Sequence, residues 1–149
     1  RGRSAPLNLV LTETGAASAV AKALPDLKAK ITGNSIRIPT PDVSIAILSL
    51  SLKSETSKEE VVDYLREASL TGELRRQVDF TTARDAVSSD FIGSRAASIV
   101  DGNATIVDGD SAILYVWYDN EFGYSCQVVR TVQSISGVEY PTFPAPAAV

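Results

Sequence analysis

The amino-acid sequence predicts an α+β fold, a mixed or antiparallel sheet with helices packed on one face. Three features point there. Asp108-Gly109 between two apolar runs is a hairpin signal and asks for antiparallel strands. Segments with helical apolar spacing and recognisable caps lie among the strand-like runs. No G-x-G-x-x-G loop is present, so the chain is not a dinucleotide-binding parallel unit by itself.

Taken in order, residues 1–14 are extended in character, with Leu7, Leu9, Val10 and Leu11 alternating imperfectly. A helix is expected to begin near Thr14, with Thr14 as N-cap, then Gly15-Ala16-Ala17 and the apolar positions Val20, Ala21 and Leu24. Pro25, Lys22, Lys28 and Lys30 suit its end and the following loop. Ile36-Arg37-Ile38-Pro39-Thr40 reads as a strand in which Arg37 points away from its two isoleucines. Pro39 and Pro41 imply an edge or strand end. Residues 43–53 form a second strand, too apolar on both faces to be solvent-exposed.

Ser57-Lys58-Glu59-Glu60 is a capping box. It opens a helix with the stripe Val61, Leu65, Ala68, and Gly72 stops it. Three more strands are expected over 87–92, 98–107 and 111–117. A final helix covers about 123–134, with Val128, Val129, Val132 and Ile135 apolar. The Pro/Ala-rich tail after Tyr140 reads as a loosely held terminus.

At 149 residues the chain is long enough for one domain with a real core, and its 44% apolar and 21% charged shares are those of a globular protein. A net charge of −4 argues against nucleic acid or an anionic membrane as partner, because both require clustered positive potential. Local basic groups can still hold a small anion. Apolar runs are strand-sized, far short of the ~20 residues of a membrane span. The lone Cys126 cannot form an internal disulfide, which suits a reducing compartment such as the cytoplasm. Histidine is absent, so neither a Ser-His or Cys-His nucleophile pair nor a His-containing metal site can be built, and no metal is expected. Methionine is absent as well, and the chain is expected to be a fragment or processed product.

Three segments could carry chemistry. Thr14-Gly15 at a helix start offers unpaired N–H groups, partial positive charge and close approach at glycine, all suited to an anion. The same residues equally describe a plain cap. Arg37 at mid-strand can offer a planar fork to phosphate, or can be a surface arginine paired with an aspartate. Trp117-Tyr118-Asp119-Asn120-Glu121-Phe122-Gly123-Tyr124-Ser125 places three aromatic types around an Asp-Asn-Glu turn, between a strand and a helix.

That nine-residue stretch resembles the signature near the C-terminus of phosphorylating glyceraldehyde-3-phosphate dehydrogenases. Thr14-Gly15-Ala16-Ala17, Leu24-Pro25-Asp26-Leu27, Ile31-Thr32-Gly33 and Arg37-Ile38-Pro39-Thr40-Pro41 resemble the family's phosphate-site segment in order and spacing. Ser88-Ser89-Asp90-Phe91 matches a further segment, and the resemblance runs to about Ser134. It implies a catalytic-domain half, over residues 1–122, with a C-terminal helix over 123–138 that packs on a nucleotide-binding domain, and a tail over 139–149.

In this family a cysteine thiolate activated by histidine attacks the aldehyde. Hydride passes to NAD, and inorganic phosphate cleaves the resulting thioester. By this resemblance Arg37 holds the substrate's own phosphate, while Thr14 and Gly15 hold the attacking phosphate. Asn120 hydrogen-bonds the nicotinamide carboxamide and fixes the ring face, and Tyr124 lies close to that ring. Arg1 and Arg3 fall in a basic stretch near the phosphate site and subunit contacts. The nucleophilic cysteine and its histidine have no counterpart in this chain, and Cys126 matches a packed thiol on the last helix.

The implied parent is a cytoplasmic homotetramer acting on a phosphorylated aldehyde and inorganic phosphate, with NAD, or NADP, read by a domain this chain lacks. The isolated chain is expected to be inactive. Two alternatives stand beside it: an erythrose-4-phosphate dehydrogenase, whose substrate also carries a phosphate, and a non-catalytic phosphate-binding or assembly module.

Overall fold

The structure, a computed structural model, describes residues 7–138. Arg1, Arg3 and the tail after Tyr140 lie outside them. The chain divides into two compact units, Arg1–Pro41 and Asp42–Val149.

In the first unit, β1 (Val10–Glu13) and β2 (Asn34–Arg37) form an antiparallel ribbon, with Val10 opposite Arg37 and Glu13 opposite Asn34. Between them run α1 (Ala16–Ala23) and a 3-10 helical turn (Pro25–Leu27). Pro25 stands where α1 has already ended, because its ring and missing N–H cannot continue a helix.

The second unit is built on a five-stranded mixed sheet. Its strands are β3 (Ser44–Ser51), β4 (Val78–Thr81), β5 (Ser98–Asp101), β6 (Ile106–Asp108) and β7 (Ser111–Tyr118). The order is β3-β7-β5-β4, with β6 also paired to β7; β4 and β5 are parallel and the other pairings antiparallel. The β6–β7 hairpin turns at Gly109, whose φ of 58° is a left-handed conformation that glycine adopts without strain. Helix α2 (Lys58–Leu70) follows β3, and α3 (Phe122–Ile135) follows β7.

Period-two alternation on β7 sends Leu114 and Val116 to one face, where they join Val100 of β5 as the buried core. Ala46, Leu50, Val78 and Phe80 from neighbouring strands and Val61 and Leu65 from α2 close over it. Each such buried branched side chain contributes about 1.5–3 kcal/mol relative to exposure. The architecture is thus the expected α+β one.

Four local expectations are corrected. Residues 43–53 do not form a strand covered on both faces: Ile45, Ile47 and Leu48 are exposed, Ile47 at 61%. Among the described residues β3 has one neighbouring strand, β7, and the face carrying Ile45 and Ile47 is the one opposite the core residues Ala46 and Leu50. Residues 87–92 hold a 3-10 helical turn (Ser88–Phe91) instead of a strand. There the Asp90 carboxylate accepts the Val87 N–H at 2.8 Å, so local side-chain bonding replaces a ladder.

Residues 98–107 break into β5 and β6 because Asp101 turns the chain. Its carboxylate accepts the Ala104 N–H at 3.0 Å and the Trp117 Nε1–H at 3.3 Å, and a Cβ on Gly102 would overlap the Phe80 ring. Finally, β4 carries too short a pattern to be expected as a strand. Its alternation is only four residues long, with Val78 and Phe80 turned to the core.

Candidate functional site

In the first unit the candidate anion site grows from the turn between β1 and α1. Helix α1 starts one residue later than expected: Gly15, not Thr14, is the N-cap. The Thr14 Oγ1 instead accepts the Ala16 N–H at 3.2 Å from one position further out. This is local Ser/Thr-to-backbone bonding competing with the helix pattern. No acidic residue stands in the first turn of α1, and no N-cap side chain bonds its amides. The starts of α2 and α3 differ. Ser57 and Glu60 close a reciprocal capping box on α2, and the Asp119 carboxylate accepts the Glu121 and Phe122 N–H groups at α3. Only α1 keeps its positive end free of carboxylate among the described helices.

Nothing local demands glycine at position 15. Its φ is −83°, and an added Cβ would meet nothing nearer than the Ser18 Oγ at 4.0 Å. Room beside a helix start is what a close-approaching anion uses. Arg37 ends β2 at the far end of the ribbon and is exposed, with no ion pair among the described residues. The register puts it on the same ribbon face as Val10, and Thr14 lies four residues further along the chain from Val10. At ~3.4 Å of rise per residue the two positions stand roughly 13 Å apart. Thr14 and Gly15 are neighbours; Arg37 is a second, separate point.

In the second unit, Asn120 sits in the turn between β7 and α3, and Tyr124 follows on the first turn of α3, 68% exposed. The turn is tied down by Asp119, only 2% exposed, whose carboxylate accepts N–H groups from Gly93 at 2.8 Å, Glu121 at 2.9 Å and Phe122 at 2.6 Å. Burial alone would raise this carboxyl. The backbone donors of Gly93, Phe122, Glu121 and Gly123 outweigh it and hold Asp119 below the usual carboxylate range. Gly123 is buried against the 93–97 loop, where an added Cβ would stand 2.7 Å from the Ala96 carbonyl oxygen.

From across the sheet, the Ser44 Oγ–H donates to Asn120 Oδ1 at 3.0 Å. Sequence reading passed over Asp119 and Ser44 as separate contributors. A carboxylate inside an Asp-Asn-Glu turn was the available signal for the first, but the Ser44 contact spans 76 positions and leaves no local trace. Cys126 is half-buried on α3 and unpaired. Among the described residues no group of acidic or thiol side chains could hold a metal ion.

The mixed sheet with its helical layer, preceded by a ribbon-and-helix unit, defines an α+β domain of the dehydrogenase catalytic-domain type. Residues 1–120 match the family described as glyceraldehyde 3-phosphate dehydrogenase, C-terminal domain, and the chain belongs to that family. It is 58% identical over 144 residues to a glyceraldehyde-3-phosphate dehydrogenase-like protein of Pseudomonas aeruginosa, covering 97% of this chain and 31% of that protein. Its identity is 45% over 137 residues to a glyceraldehyde-3-phosphate dehydrogenase of Borreliella burgdorferi, covering 91% of this chain and 41% of the relative. Against a glyceraldehyde-3-phosphate dehydrogenase 2 of Nostoc it is 42% over 137 residues, with 91% and 40% covered. The chain thus spans between 31% and 41% of the length of these curated relatives.

Proposed function

We propose that this chain supplies the two phosphate-holding points and the nicotinamide-facing edge of a phosphorylating glyceraldehyde-3-phosphate dehydrogenase. The observation that carries the reading is the pairing, inside one small unit, of a helix start free of carboxylate with an arginine that has no ion pair among the described residues. An unneutralised helix end and an unpaired guanidinium fork both favour anions, and this reaction has two: the phosphate of the aldehyde and inorganic phosphate.

In this reading Arg37 grips the substrate's own phosphate with its fork. Thr14 and Gly15 hold inorganic phosphate at the start of α1. Anchoring the remote phosphate positions the carbonyl for attack by a cysteine carried outside this chain, which turns binding energy into orientation. NAD, when bound, accepts the hydride. An amide whose oxygen is engaged by Ser44, and an exposed aromatic ring four positions on in the chain, suit the carboxamide and flat ring of a nicotinamide. Asn120 then orients that ring and Tyr124 flanks it. The adenosine end belongs to a nucleotide-binding domain, on which α3 docks by the apolar side carrying Val128, Val129, Val132 and Ile135, the last 83% exposed.

The homotetrameric assembly is part of the same reading, and Ile45, Ile47 and Ile106 on the open sheet support self-association. The cytoplasmic setting rests on the single unpaired cysteine. No described helix is long and apolar enough to cross a membrane.

Steady-state kinetics of the full-length dehydrogenase carrying this domain test the assignment. Loss of a charged hydrogen-bond partner costs about 1.5–3 kcal/mol, so Arg37→Ala should raise KM for the phosphorylated aldehyde roughly 10- to 100-fold. Thr14→Ala should instead raise KM for inorganic phosphate. An unmoved aldehyde KM in Arg37→Ala sinks the reading. Relative turnover of glyceraldehyde 3-phosphate and erythrose 4-phosphate decides which aldehyde the parent uses.

A further inference from the structure

The backbone of the Asn120 turn and the side chain of Asn120 are held by different devices. Every Asp119 contact goes to a backbone N–H, so that carboxylate fixes the path of the turn and leaves the Asn120 amide free to rotate. One contact addresses the amide itself. The Ser44 hydroxyl donates to Oδ1, which distinguishes the oxygen end from the nitrogen end and leaves Nδ2 with its hydrogens directed elsewhere.

Ser44 follows directly on Val43, whose φ is 69°. Among the described residues only Ala29 shares a positive φ without being glycine, and Ala29 is exposed. A buried β-branched residue in this region is an outlier that the surrounding structure must enforce. Val43 is 5% exposed, and its N–H donates to the Asp42 carboxylate at 2.6 Å. The kink occurs where β3 begins, with Ser44 opposite Tyr118, two residues before Asn120. The left-handed backbone of Val43 thus stands directly before the hydroxyl that, among the described residues, reaches the amide.

Resting on the reading of Asn120 given above, we infer that Ser44, placed by the left-handed backbone of Val43, is a positioning residue that sets the orientation in which Asn120 offers its amide to the nicotinamide carboxamide.

The test uses the full-length dehydrogenase in five forms: unaltered, Ser44→Ala, Ser44→Thr, Asn120→Ala and the double variant Ser44→Ala/Asn120→Ala. NAD dissociation constants are read by calorimetry without aldehyde, and the face of hydride transfer is read with deuterium-labelled substrate. Ser44→Ala should weaken NAD binding roughly three- to tenfold, the range for one neutral hydrogen bond. It should also erode facial selectivity while KM for aldehyde and phosphate and the cofactor-free Tm stay unchanged. Ser44→Thr, which keeps the hydroxyl, should restore NAD binding. The double variant should bind NAD no more weakly than Asn120→Ala. If Asn120→Ala weakens NAD while Ser44→Ala binds it as the unaltered enzyme does, the positioning role is overturned and the Asn120 reading stands. If Asn120→Ala itself leaves NAD binding unmoved, both fall together.

Discussion

Asp119 is the residue whose chemistry is most constrained. A carboxylate excluded from water is stable here only because backbone N–H groups from the 93 loop and the α3 start point at it. Its folded-state pKa is lowered, so its contribution to stability is fully present above the unfolded value of about 3.9 and is lost as pH falls through the lower folded value. Asp119→Ala leaves several part-buried backbone N–H groups without their acceptor and should cost about 1–3 kcal/mol, read as a lower urea midpoint at pH 7. Asp119→Asn keeps one acceptor oxygen and should flatten the acid limb of the stability profile below pH 4. An unchanged acid limb in that variant would mean that other carboxylates govern acid unfolding. Val43 is the converse case: its left-handed backbone costs about 1–3 kcal/mol and persists because the valine is buried at the start of the sheet. No sequence pattern announces such a residue, because β-branched side chains such as valine are strongly disfavoured at positive φ.

At the scale of elements, legibility followed locality. Helix α2 was readable because its start is a self-contained device: the Glu60 N–H donates to the Ser57 Oγ at 3.2 Å, and the Ser57 N–H donates to the Glu60 carboxylate at 3.2 Å. Hydrogen bonds from the Thr56 hydroxyl and the Ser57 backbone hold Glu60 below its ordinary pKa. That support is present above the unfolded carboxylate range and fades as pH drops through the folded value. Ser57→Ala removes the cap and should lower stability by about 1 kcal/mol at neutral pH, a shift of a few degrees in Tm, with no effect on NAD affinity.

A full-length enzyme whose NAD affinity moved with Ser57→Ala would tie α2 to the cofactor edge. The strands read less well. β7 is eight residues of alternation ending in aromatics and was plain; β4 is four residues long and draws its pairing from β5, twenty positions away. The 87–92 segment read as strand by composition, yet Asp90 captured the Val87 N–H first. The residues proposed for the site, Thr14, Gly15, Arg37, Asn120 and Tyr124, stand in local motifs whose roles come from the family resemblance. Ser44 stands in none, since its partner lies in the turn after β7 and is reached only through the long-range β3–β7 pairing.

For the whole molecule, the arrangement of apolar surface says what the chain needs. The core of Val100, Leu114 and Val116 is small, and many large side chains stay in water, among them Ile45 and Ile47 on β3 and Val129, Val132 and Ile135 on α3. Helix α3 is held to its own unit through its polar side, by Gln127 on the Arg95 carbonyl and Arg130 on the Arg76 carbonyl. Its apolar side is therefore left for another surface, and contiguous exposed apolar area of this kind marks an interface. The chemistry is unfinished in the same sense. Without histidine no base can raise the thiolate fraction of Cys126 by the usual pairing, and Cys126 lies half-buried on that same helix. The purified 149-residue chain should give no phosphate-dependent NADH formation from glyceraldehyde 3-phosphate, and should bind a fluorescent apolar dye that Val132→Lys with Ile135→Lys largely abolishes. Adding a separately expressed nucleotide-binding half with its cysteine and histidine should suppress the dye signal and restore turnover together, because on the proposed reading one partner both covers α3 and brings the nucleophile. Measurable NADH from the chain alone would show that it carries a nucleophile its residues do not reveal, and would undo the division of labour proposed for the two halves.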